Sequence, residues 1–194
     1  VLTTPKATAY LKISEGCDHA CAFCAIPAIR GPQRSRTLPS ILAEARRLVE
    51  QGVQEICLVG QDTTDFGRDL GDPDGLEHLV RALGTVEGLR WFRIHYSYPN
   101  RTTEGLLRAM AETPNCLKYL DMPLQHAHPG ILRRMARGGG RATFLKLLAK
   151  ARRIVPGLVL RSNFIVGFPG ESEEAFQELV AFVKEAAFDH VGVF

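Results

Sequence analysis

Short apolar runs alternate along this chain with longer stretches of helical periodicity, and this alternation limits the folds open to it. It is typical of strand–helix units arranged around a parallel sheet. We predict six strands, at Ala9–Ser14, Glu55–Gly60, Trp91–His95, Tyr119–Pro123, Leu158–Val166 and His190–Phe194. We predict five helices, at Pro39–Gln51, Leu76–Leu83, Thr103–Glu112, Ala142–Val155 and Ser172–Ala186. A chain of 194 residues with this pattern is expected to form one α/β domain.

Residues at the predicted helix boundaries agree with these limits. Pro39 is suited to a first helical turn, and Gly52 to the position just past a helix end. Ser172 is a good N-cap, and acidic residues follow it where the helix dipole favours negative charge.

Parallel strand–helix repeats either close, fully or partly, into a barrel or form an open, doubly wound sheet. Both arrangements gather functional loops at the carboxyl ends of the strands. The residues that follow the predicted strands are Glu15–Gly16–Cys17, Gln61–Asp62, Tyr96–Ser97–Tyr98, Leu124–Gln125–His126 and Gly167–Phe168–Pro169. We expect them to share one rim. The sixth predicted strand has no helix after it, so the chain is expected to be a fragment of a longer protein.

The composition excludes several classes of protein. Hydrophobic residues make up 45% of the chain and charged residues 23%, which is ordinary for a soluble globular domain, and no apolar run is long enough to span a bilayer. The N-terminal stretch VLTTPKATAY lacks the features of a signal peptide, so a cytoplasmic location is expected. The net charge is +3, and arginine pairs such as Arg46–Arg47 are better explained as solvated helix faces than as a nucleic-acid patch.

Three cysteines lie close together after the first predicted strand, at Cys17, Cys21 and Cys24. In a reducing compartment such spacing indicates metal ligands or catalytic groups rather than disulfides. A structural zinc site needs four ligands, commonly as two separated pairs, and no second pair follows. His19 lies inside the loop, and possible distant fourth ligands are Cys57, Cys116, His126 and His128. A zinc-stabilised RNA-binding module without catalysis therefore remains an alternative.

An iron–sulfur cubane offers another explanation of three thiols. Its four irons are usually held by one cysteine each, so three cysteines would leave one iron open to a ligand that chelates through an amine and a carboxylate. S-adenosylmethionine is the natural candidate. The CxxxCxxC pattern after a first strand resembles the signature of the radical S-adenosylmethionine family, and Phe23 matches the aromatic position before its third cysteine.

The resemblance extends over nearly the whole chain. The segments YLKISEGCDHACAFCAIPAIRG, GQDTTDFG, LDMPLQHAHPGILRRM and LRSNFIVGFPGESEEAF resemble the methylthiotransferase branch of that family. One group in this branch modifies an aspartate of a small-subunit ribosomal protein, and another modifies an adenosine of transfer RNA. SEGCD, GQDT, MPLQH and HYSYP resemble the ribosomal-protein group more than the MEGCN, GQNV and LPVQS expected of the other.

The resemblance implies a partial (β/α)6 TIM-like barrel, a 4Fe-4S cluster held by Cys17, Cys21 and Cys24, and S-adenosylmethionine at the open iron. It implies methylthiolation of the β carbon of an aspartate in a ribosomal protein, either free or on the ribosome. An electron donor such as flavodoxin or ferredoxin is also implied. An N-terminal domain with a second 4Fe-4S cluster and a C-terminal TRAM domain are expected outside residues 1–194, which would be the radical core.

Seven further residues are predicted to contact S-adenosylmethionine, each with a structural alternative. These residues are Phe23, Gln61, Asp62, Gln125, Arg161, Val166 and Gly167. Asp62 would otherwise form an Asx-type turn, and Arg161 would otherwise pair with a protein acid, since a charged residue in a buried strand needs a partner. His126 is expected to be structural. Cys57 and Cys116 are expected to fill the core, and RGGGR at 137–141 to form a flexible loop.

Overall fold

A six-stranded parallel sheet forms the centre of the molecule. The computed structural model describes residues 5–194, so the first four residues of the N-terminal stretch that we examined for a signal peptide lie outside it. The strands of this sheet are β1 (Thr8–Lys12), β4 (Glu55–Val59), β5 (Trp91–Ile94), β6 (Cys116–Asp121), β7 (Val159–Phe164) and β8 (His190–Val193). A separate antiparallel pair consists of β2 (Ser14–Glu15) and β3 (Arg34–Ser35). The predicted α/β class with six parallel strands is confirmed.

Seven α-helices are found within the described residues, and the longer ones flank the sheet. They are α1 (Ile26–Arg30), α2 (Leu38–Glu50), α3 (Gly75–Leu83), α4 (Glu104–Glu112), α5 (Pro129–Arg134), α6 (Arg141–Ile154) and α7 (Glu173–Ala186). Ser172 caps α7 by accepting a hydrogen bond from the amide of Ala175 at 3.3 Å, as predicted. Gly52 has φ 90° just beyond α2, which is the left-handed conformation expected there.

The order of the strands across the sheet is the order along the chain, β1-β4-β5-β6-β7-β8. A doubly wound sheet reverses its order at a switch point, so this sheet is not doubly wound. Cys17 follows the first strand and Phe194 follows the last, yet both line one cavity. The sheet must therefore curve to bring its two edges toward each other, as in a partial barrel.

The sheet is covered by apolar side chains on both faces, which is why its strands have almost continuous apolar sequences. In β4, for example, Ile56, Cys57 and Leu58 are all buried. Cys116 is 2% exposed, so both cysteines outside the triplet pack in the interior, as predicted. Within the described residues, no helix combines the length and apolarity that a membrane span requires.

Two short helices and the β2–β3 pair were not predicted, and several strand boundaries differ from the prediction, most of all those of β6. Helices α1 and α5 contain five and six residues, too few to show the periodicity on which the helix predictions depended. β6 begins at Cys116 and ends at Asp121, whereas we predicted Tyr119–Pro123. The half-buried Lys118 interrupts the apolar run, but its ammonium donates to the carbonyl of Ala111 at 2.9 Å, so the strand tolerates it.

Candidate functional site

A cavity of about 420 Å³ opens at the carboxyl ends of the sheet strands. It is lined by Cys17, His19, Cys21, Phe23, Cys24, Ile26, Gly60, Gln61, Asp62, Tyr96, Ser97, Tyr98, Pro123, Gln125, Arg137, Asn163 and Phe194. Four of the five predicted rim segments contribute to this lining; Gly167–Phe168–Pro169 does not. The prediction that polar residues gather on one rim is therefore confirmed for those four loops.

The loop that carries the three cysteines is held at its base by the β2–β3 pair. Gly16 has φ 81°, and a Cβ there would overlap the carbonyl oxygens of Pro32 and Gly31. The amide of Cys17 donates to the carbonyl of Gly31 at 3.2 Å. Only glycine permits both this conformation and this close approach. The loop therefore turns directly from β2 toward the cavity.

The three thiols face the cavity and remain accessible. Cys17 and Cys21 are partly exposed and Cys24 is exposed. Burial raises the pKa of the Cys17 thiol, and the nearby carboxylate of Asp62 raises it further. A bound metal would reverse this effect, because a coordinating thiol is deprotonated outright.

The spacing of the possible ligand atoms distinguishes a single ion from a cluster. Two thiolates on one zinc ion lie no more than about 4.6 Å apart, twice the zinc–sulfur bond length of about 2.3 Å. Within residues 5–194, the one group of three ligand atoms that all lie within 4.8 Å of one another is formed by His19, Asp62 and Asp65. At least two of the three cysteine sulfurs are therefore more than 4.8 Å apart, which is farther than two thiolates on one zinc ion.

The group of His19, Asp62 and Asp65 is engaged by protein contacts, although Oδ1 of Asp65 has ion-pair neighbours and no hydrogen bond. Nε2 of His19 lies 2.7 Å from Oδ2 of Asp62, and its ring stacks on Tyr98 with centroids 4.0 Å apart. Nε of Arg101 lies 3.3 Å from Oδ1 of Asp65. Burial, followed by the charge of Asp62, raises the pKa of the Asp65 carboxyl. We therefore assign no metal to this group.

Asp62 adopts the turn that the sequence left as an alternative. Its Oδ1 accepts a hydrogen bond from the amide of Thr64 at 2.8 Å, while Oδ2 faces His19. Its carboxylate is thus engaged by the protein on both sides. A contact between Asp62 and S-adenosylmethionine stays a prediction.

Several buried polar atoms near the cavity have no hydrogen-bond partner in the described structure. Oε1 of Gln61, Oγ of Ser97 and Oδ1 of Asn163 are of this kind. Unsatisfied buried polar groups are rare in folded proteins and call for an explanation. A polar ligand in the cavity would supply their partners, so these atoms fit a molecule that carries amine and hydroxyl groups.

The backbone of the rim is strained at two non-glycine residues. Tyr96 has φ 59° and Gln125 has φ 72°. Gln125 is held there by its own amide, which donates to the carbonyl of Asn163 at 2.9 Å, and by its carbonyl, which accepts from Ile165 at 2.8 Å. Such strain persists where the surrounding structure imposes it, and it is common at binding sites.

Three of the predicted contact residues do not line the cavity. Nη1 of Arg161 lies 3.0 Å from Oδ2 of Asp121, which is the ion pair that the sequence left as an alternative. The amide of Val166 donates to the carbonyl of Phe194 at 2.9 Å, and the amide of Gly167 donates to the carboxylate of Glu171. Their roles toward a cofactor stay predictions, whereas Phe23, Gln61, Asp62 and Gln125 do line the cavity.

Arg137 reaches the cavity, although the sequence predicted a flexible RGGGR loop around it. Its Nη2 donates to the carbonyl of Pro123 at 2.9 Å, and its guanidinium carbon lies 4.4 Å from the centroid of the Tyr98 ring. Its Nη1 lies 3.6 Å from Sγ of Cys21. The side chain is therefore fixed, and the expectation of flexibility is wrong for this residue. The contact of Arg137 with the cavity could not have been predicted from the sequence, because Arg137 does not follow a predicted strand.

Comparison with known proteins identifies the fold and its relatives. The profile of the Radical SAM superfamily matches residues 11–183. The ribosomal protein uS12 methylthiotransferase RimO of Koribacter versatilis is 53% identical over 194 residues, covering 100% of this chain and 38% of that protein. RimO of Desulforamulus reducens is also 53% identical over 194 residues, covering 100% of this chain and 44% of its own length. The chain thus spans about two fifths of these relatives.

Solved structures share this fold at low sequence identity. The radical S-adenosylmethionine methyltransferase TsrM from Kitasatospora setae superposes with a TM-score of 0.76 at 18% identity, covering 97% of this chain and 36% of TsrM. Coproporphyrinogen III oxidase HemN from Escherichia coli, a radical SAM enzyme, gives a TM-score of 0.69 at 18% identity, covering 96% of this chain and 43% of HemN. The predicted partial barrel is confirmed by this likeness.

Proposed function

The chain belongs to the Radical SAM superfamily, and we propose that it is the catalytic core of an enzyme that uses S-adenosylmethionine bound to a 4Fe-4S cluster. The observation that carries this proposal is the set of three thiols on one loop, Cys17, Cys21 and Cys24, all of which line one cavity. The other two cysteines are buried in the sheet and do not line it. A cubane held by three thiolates keeps one iron free for a small chelating molecule.

Different residues of the cavity can bind different groups of S-adenosylmethionine. When bound and reduced, the cluster supplies the electron that cleaves a carbon–sulfur bond of S-adenosylmethionine and so starts hydrogen abstraction from an unactivated carbon. Phe23, between the second and third cysteines, offers a ring face to an adenine. Oε1 of Gln61 is buried without a partner and can accept a hydrogen bond from an ammonium group. The oxygen of Asn163 is placed to accept from a hydroxyl in the same way.

The proposed substrate is an aspartate β carbon in ribosomal protein uS12. Its support is the similarity to two RimO proteins, each named a uS12 methylthiotransferase. The uncharged walls formed by Tyr96, Tyr98 and Phe23 would exclude water from a radical reaction. The proposal includes a cytoplasmic enzyme, a flavodoxin or ferredoxin as electron donor, and access to uS12 either free or on the ribosome.

The complete methylthiolation is proposed to need more than these residues. Because the chain spans about two fifths of the relatives, we assign residues 1–194 to the radical core. A second 4Fe-4S cluster in an N-terminal domain would bring the sulfur, and a C-terminal TRAM domain would help to bind substrate. The core alone is expected to cleave S-adenosylmethionine without completing sulfur insertion.

Anaerobic reconstitution with iron and sulfide tests the cluster. We expect about four irons per chain, the broad absorption of a 4Fe-4S cluster, and, after reduction, an EPR signal that S-adenosylmethionine alters. C17A, C21A and C24A should each lose the cluster, whereas C57A, which removes a buried thiol outside the cavity, should keep it. Stoichiometric zinc in anaerobically purified protein, with no cluster after reconstitution, would contradict the proposal.

The substrate is tested separately in cells with and without the full-length gene. Mass spectrometry of uS12 and of transfer RNA shows which of the two gains a methylthio group. Gain on an aspartate of uS12 supports the proposal, and gain on transfer RNA alone refutes the substrate but keeps the radical core.

A further inference from the structure

The guanidinium of Arg137 touches a cysteine of the triplet from outside the cysteine loop. We propose that Arg137 is a positioning residue that donates a hydrogen bond to the sulfur of Cys21 and raises the reduction potential of the cluster. The inference rests on the proposed function, because it needs the cluster to be present. Its geometric basis is the distance of 3.6 Å between Nη1 of Arg137 and Sγ of Cys21.

The end of α5 determines where Arg137 points. The amide of Arg137 donates to the carbonyl of Leu132 at 2.8 Å, and the amide of Ala136 donates to the carbonyl of Arg133 at 3.0 Å. Ala136 itself has φ 54°. These are the two hydrogen bonds and the left-handed residue of a Schellman motif. The helix therefore ends in a defined turn that places Arg137 at the cavity rather than in a mobile loop.

A second contact joins the same turn to the cysteine loop. The amide of Ala22, next to Cys21, donates to the carbonyl of Met135 at 3.0 Å. Nη2 of Arg137 donates to the carbonyl of Pro123, beyond the end of β6, at 2.9 Å. The guanidinium thus bridges the sheet rim and the cysteine loop, and a backbone hydrogen bond fixes the distance between them.

The charge of Arg137 is available to the sulfur. A guanidinium remains protonated in proteins. The guanidinium of Arg137 contacts the thiol of Cys21, the carbonyl of Pro123 and the face of Tyr98. It forms no ion pair with a carboxylate among residues 5–194. One-electron reduction makes a cluster more negative. A fixed positive charge and a hydrogen bond to a ligand sulfur both favour the reduced form, since net charge and hydrogen bonds to sulfur set cluster potentials.

The chain offers a matched control at the other end of RGGGR. Arg141 pairs with Glu185, with Nε of the arginine 3.1 Å from Oε2 of the glutamate, and it does not line the cavity of the cysteines. R141Q therefore removes one positive charge four residues along the chain, at the first residue of α6, without removing a contact to sulfur.

The experiment is a redox titration of the reconstituted chain, monitored by EPR, for the wild type, R137Q, R137K and R141Q. We expect R137Q to lower the equilibrium constant of one-electron reduction about tenfold, a potential lower by about 59 mV. R137K, which keeps the charge but not the planar fork, should fall between R137Q and the wild type. R141Q should match the wild type. Equal potentials for R137Q and the wild type, or equal shifts in R137Q and R141Q, would overturn the inference.

Two further outcomes are decisive. If R137Q folds, as circular dichroism would show, but retains no cluster, iron per chain becomes the readout. The positioning role then requires that R137K recovers iron and that R141Q never loses it; failure of R137K to recover iron refutes the role of the charge. A wild-type chain that builds no cluster refutes the proposed function itself, which separates that failure from the failure of this inference.

Discussion

The guanidinium of Arg161 and the carboxylate of Asp121 form an ion pair between β7 and β6, with 3.0 Å between Nη1 and Oδ2. Asp121 is fully buried, and Nδ1 of His95 lies 3.1 Å from the same carboxylate oxygen. A charged carboxylate in such a position depends on its partners, because removing one of them leaves a buried charge.

R161Q should therefore destabilise the fold by about 1.5–3 kcal/mol, the range for a hydrogen bond to a charged group, since the Arg161 side chain is 33% exposed and His95 still faces Asp121. Urea denaturation at pH 7 measures the free energy of unfolding. The exposed Arg153 provides the control. R153Q should change the free energy of unfolding by no more than about 0.5 kcal/mol. If R161Q instead keeps full stability but loses affinity for S-adenosylmethionine, the arginine acts on the cofactor and not on Asp121.

The cysteines should divide into two classes in thiol labelling of the cluster-free chain at pH 8. Cys24 is exposed and should react fastest, with Cys17 slower because burial raises the pKa of its thiol and the thiolate is the reactive form. Burial raises the pKa of Cys116 to about 12, so it should stay unlabelled. Mass spectrometry should count three labels in the native chain and five after denaturation.

The same pKa shift gives a pH dependence of stability. The pKa of Cys116 is higher in the folded chain than its ordinary value of 9.0. Its contribution to stability is therefore complete below about pH 9 and is lost as pH rises toward 12. Fast labelling of Cys116 in the native chain at pH 8 would contradict this burial.

The carboxylate of Glu171 should not be replaceable by an amide. Nδ1 of His126 accepts from the amide of His128 at 2.9 Å, so the proton of the buried ring is on Nε2, which lies 2.9 Å from Oε1 of Glu171. The amide of Gly167 also donates to this carboxylate. In E171Q one of these donors would face an NH2 group, so E171Q and E171A should each lose about 1–3 kcal/mol.

The exposed Glu174 of α7 gives the control for this change, and E174Q should unfold within about 0.5 kcal/mol of the wild type. Thermal unfolding followed by circular dichroism compares the variants. An E171Q chain as stable as the wild type would show that one of the two donors finds another acceptor.

Gly16 should be irreplaceable for cluster assembly. In G16A the new methyl group would overlap the carbonyl oxygens of Pro32 and Gly31, so the cysteine loop must move away from β2. Gly52 also has positive φ, but nothing lies within 4 Å of its Cβ position. G52A should therefore cost only the backbone strain of about 1–2 kcal/mol and bind iron normally. In G16A the overlap should add about 1–3 kcal/mol of destabilisation to the backbone strain, and the chain should lose iron. Equal iron content in G16A and G52A would refute the role of Gly16 in cluster assembly.

The arrangement of strands was largely predictable because parallel strands buried on both faces carry an unmistakable apolar run, as EICLVG does. The short helices were not, since α1 has no buried residue and so no apolar face that a pattern could reveal. The start of β6 was predicted too late because Lys118 interrupts its apolar run. The ammonium of Lys118 finds its carbonyl partner at the end of α4, and a pattern read within the strand does not show that partner.

Most of the predicted site residues that line the cavity belong to loops that follow a strand or to the cysteine motif, although Gly167–Phe168–Pro169 follows a strand and does not line it. Gln61, Asp62 and Gln125 were found in this way and line the cavity. Arg137 and Asn163 were missed because one projects from a helix end and the other lies within a strand, so their approach to the cavity depends on the curvature of the whole sheet. For Arg161 the sequence left two partners open, a cofactor carboxylate and a protein acid, because a strand position alone does not distinguish them; the structure shows the ion pair with Asp121.

The order of strands across the sheet is also the order in which a ribosome makes them. The cysteine loop follows the first strand of this sheet, and Phe194, which also lines the cavity, comes 177 residues after Cys17. Each new strand can pair with the one already folded beside it. The sheet can therefore start to form before its last strand has been synthesised. The three thiols stay accessible once this sheet has folded, so iron and sulfide can reach them without unfolding it.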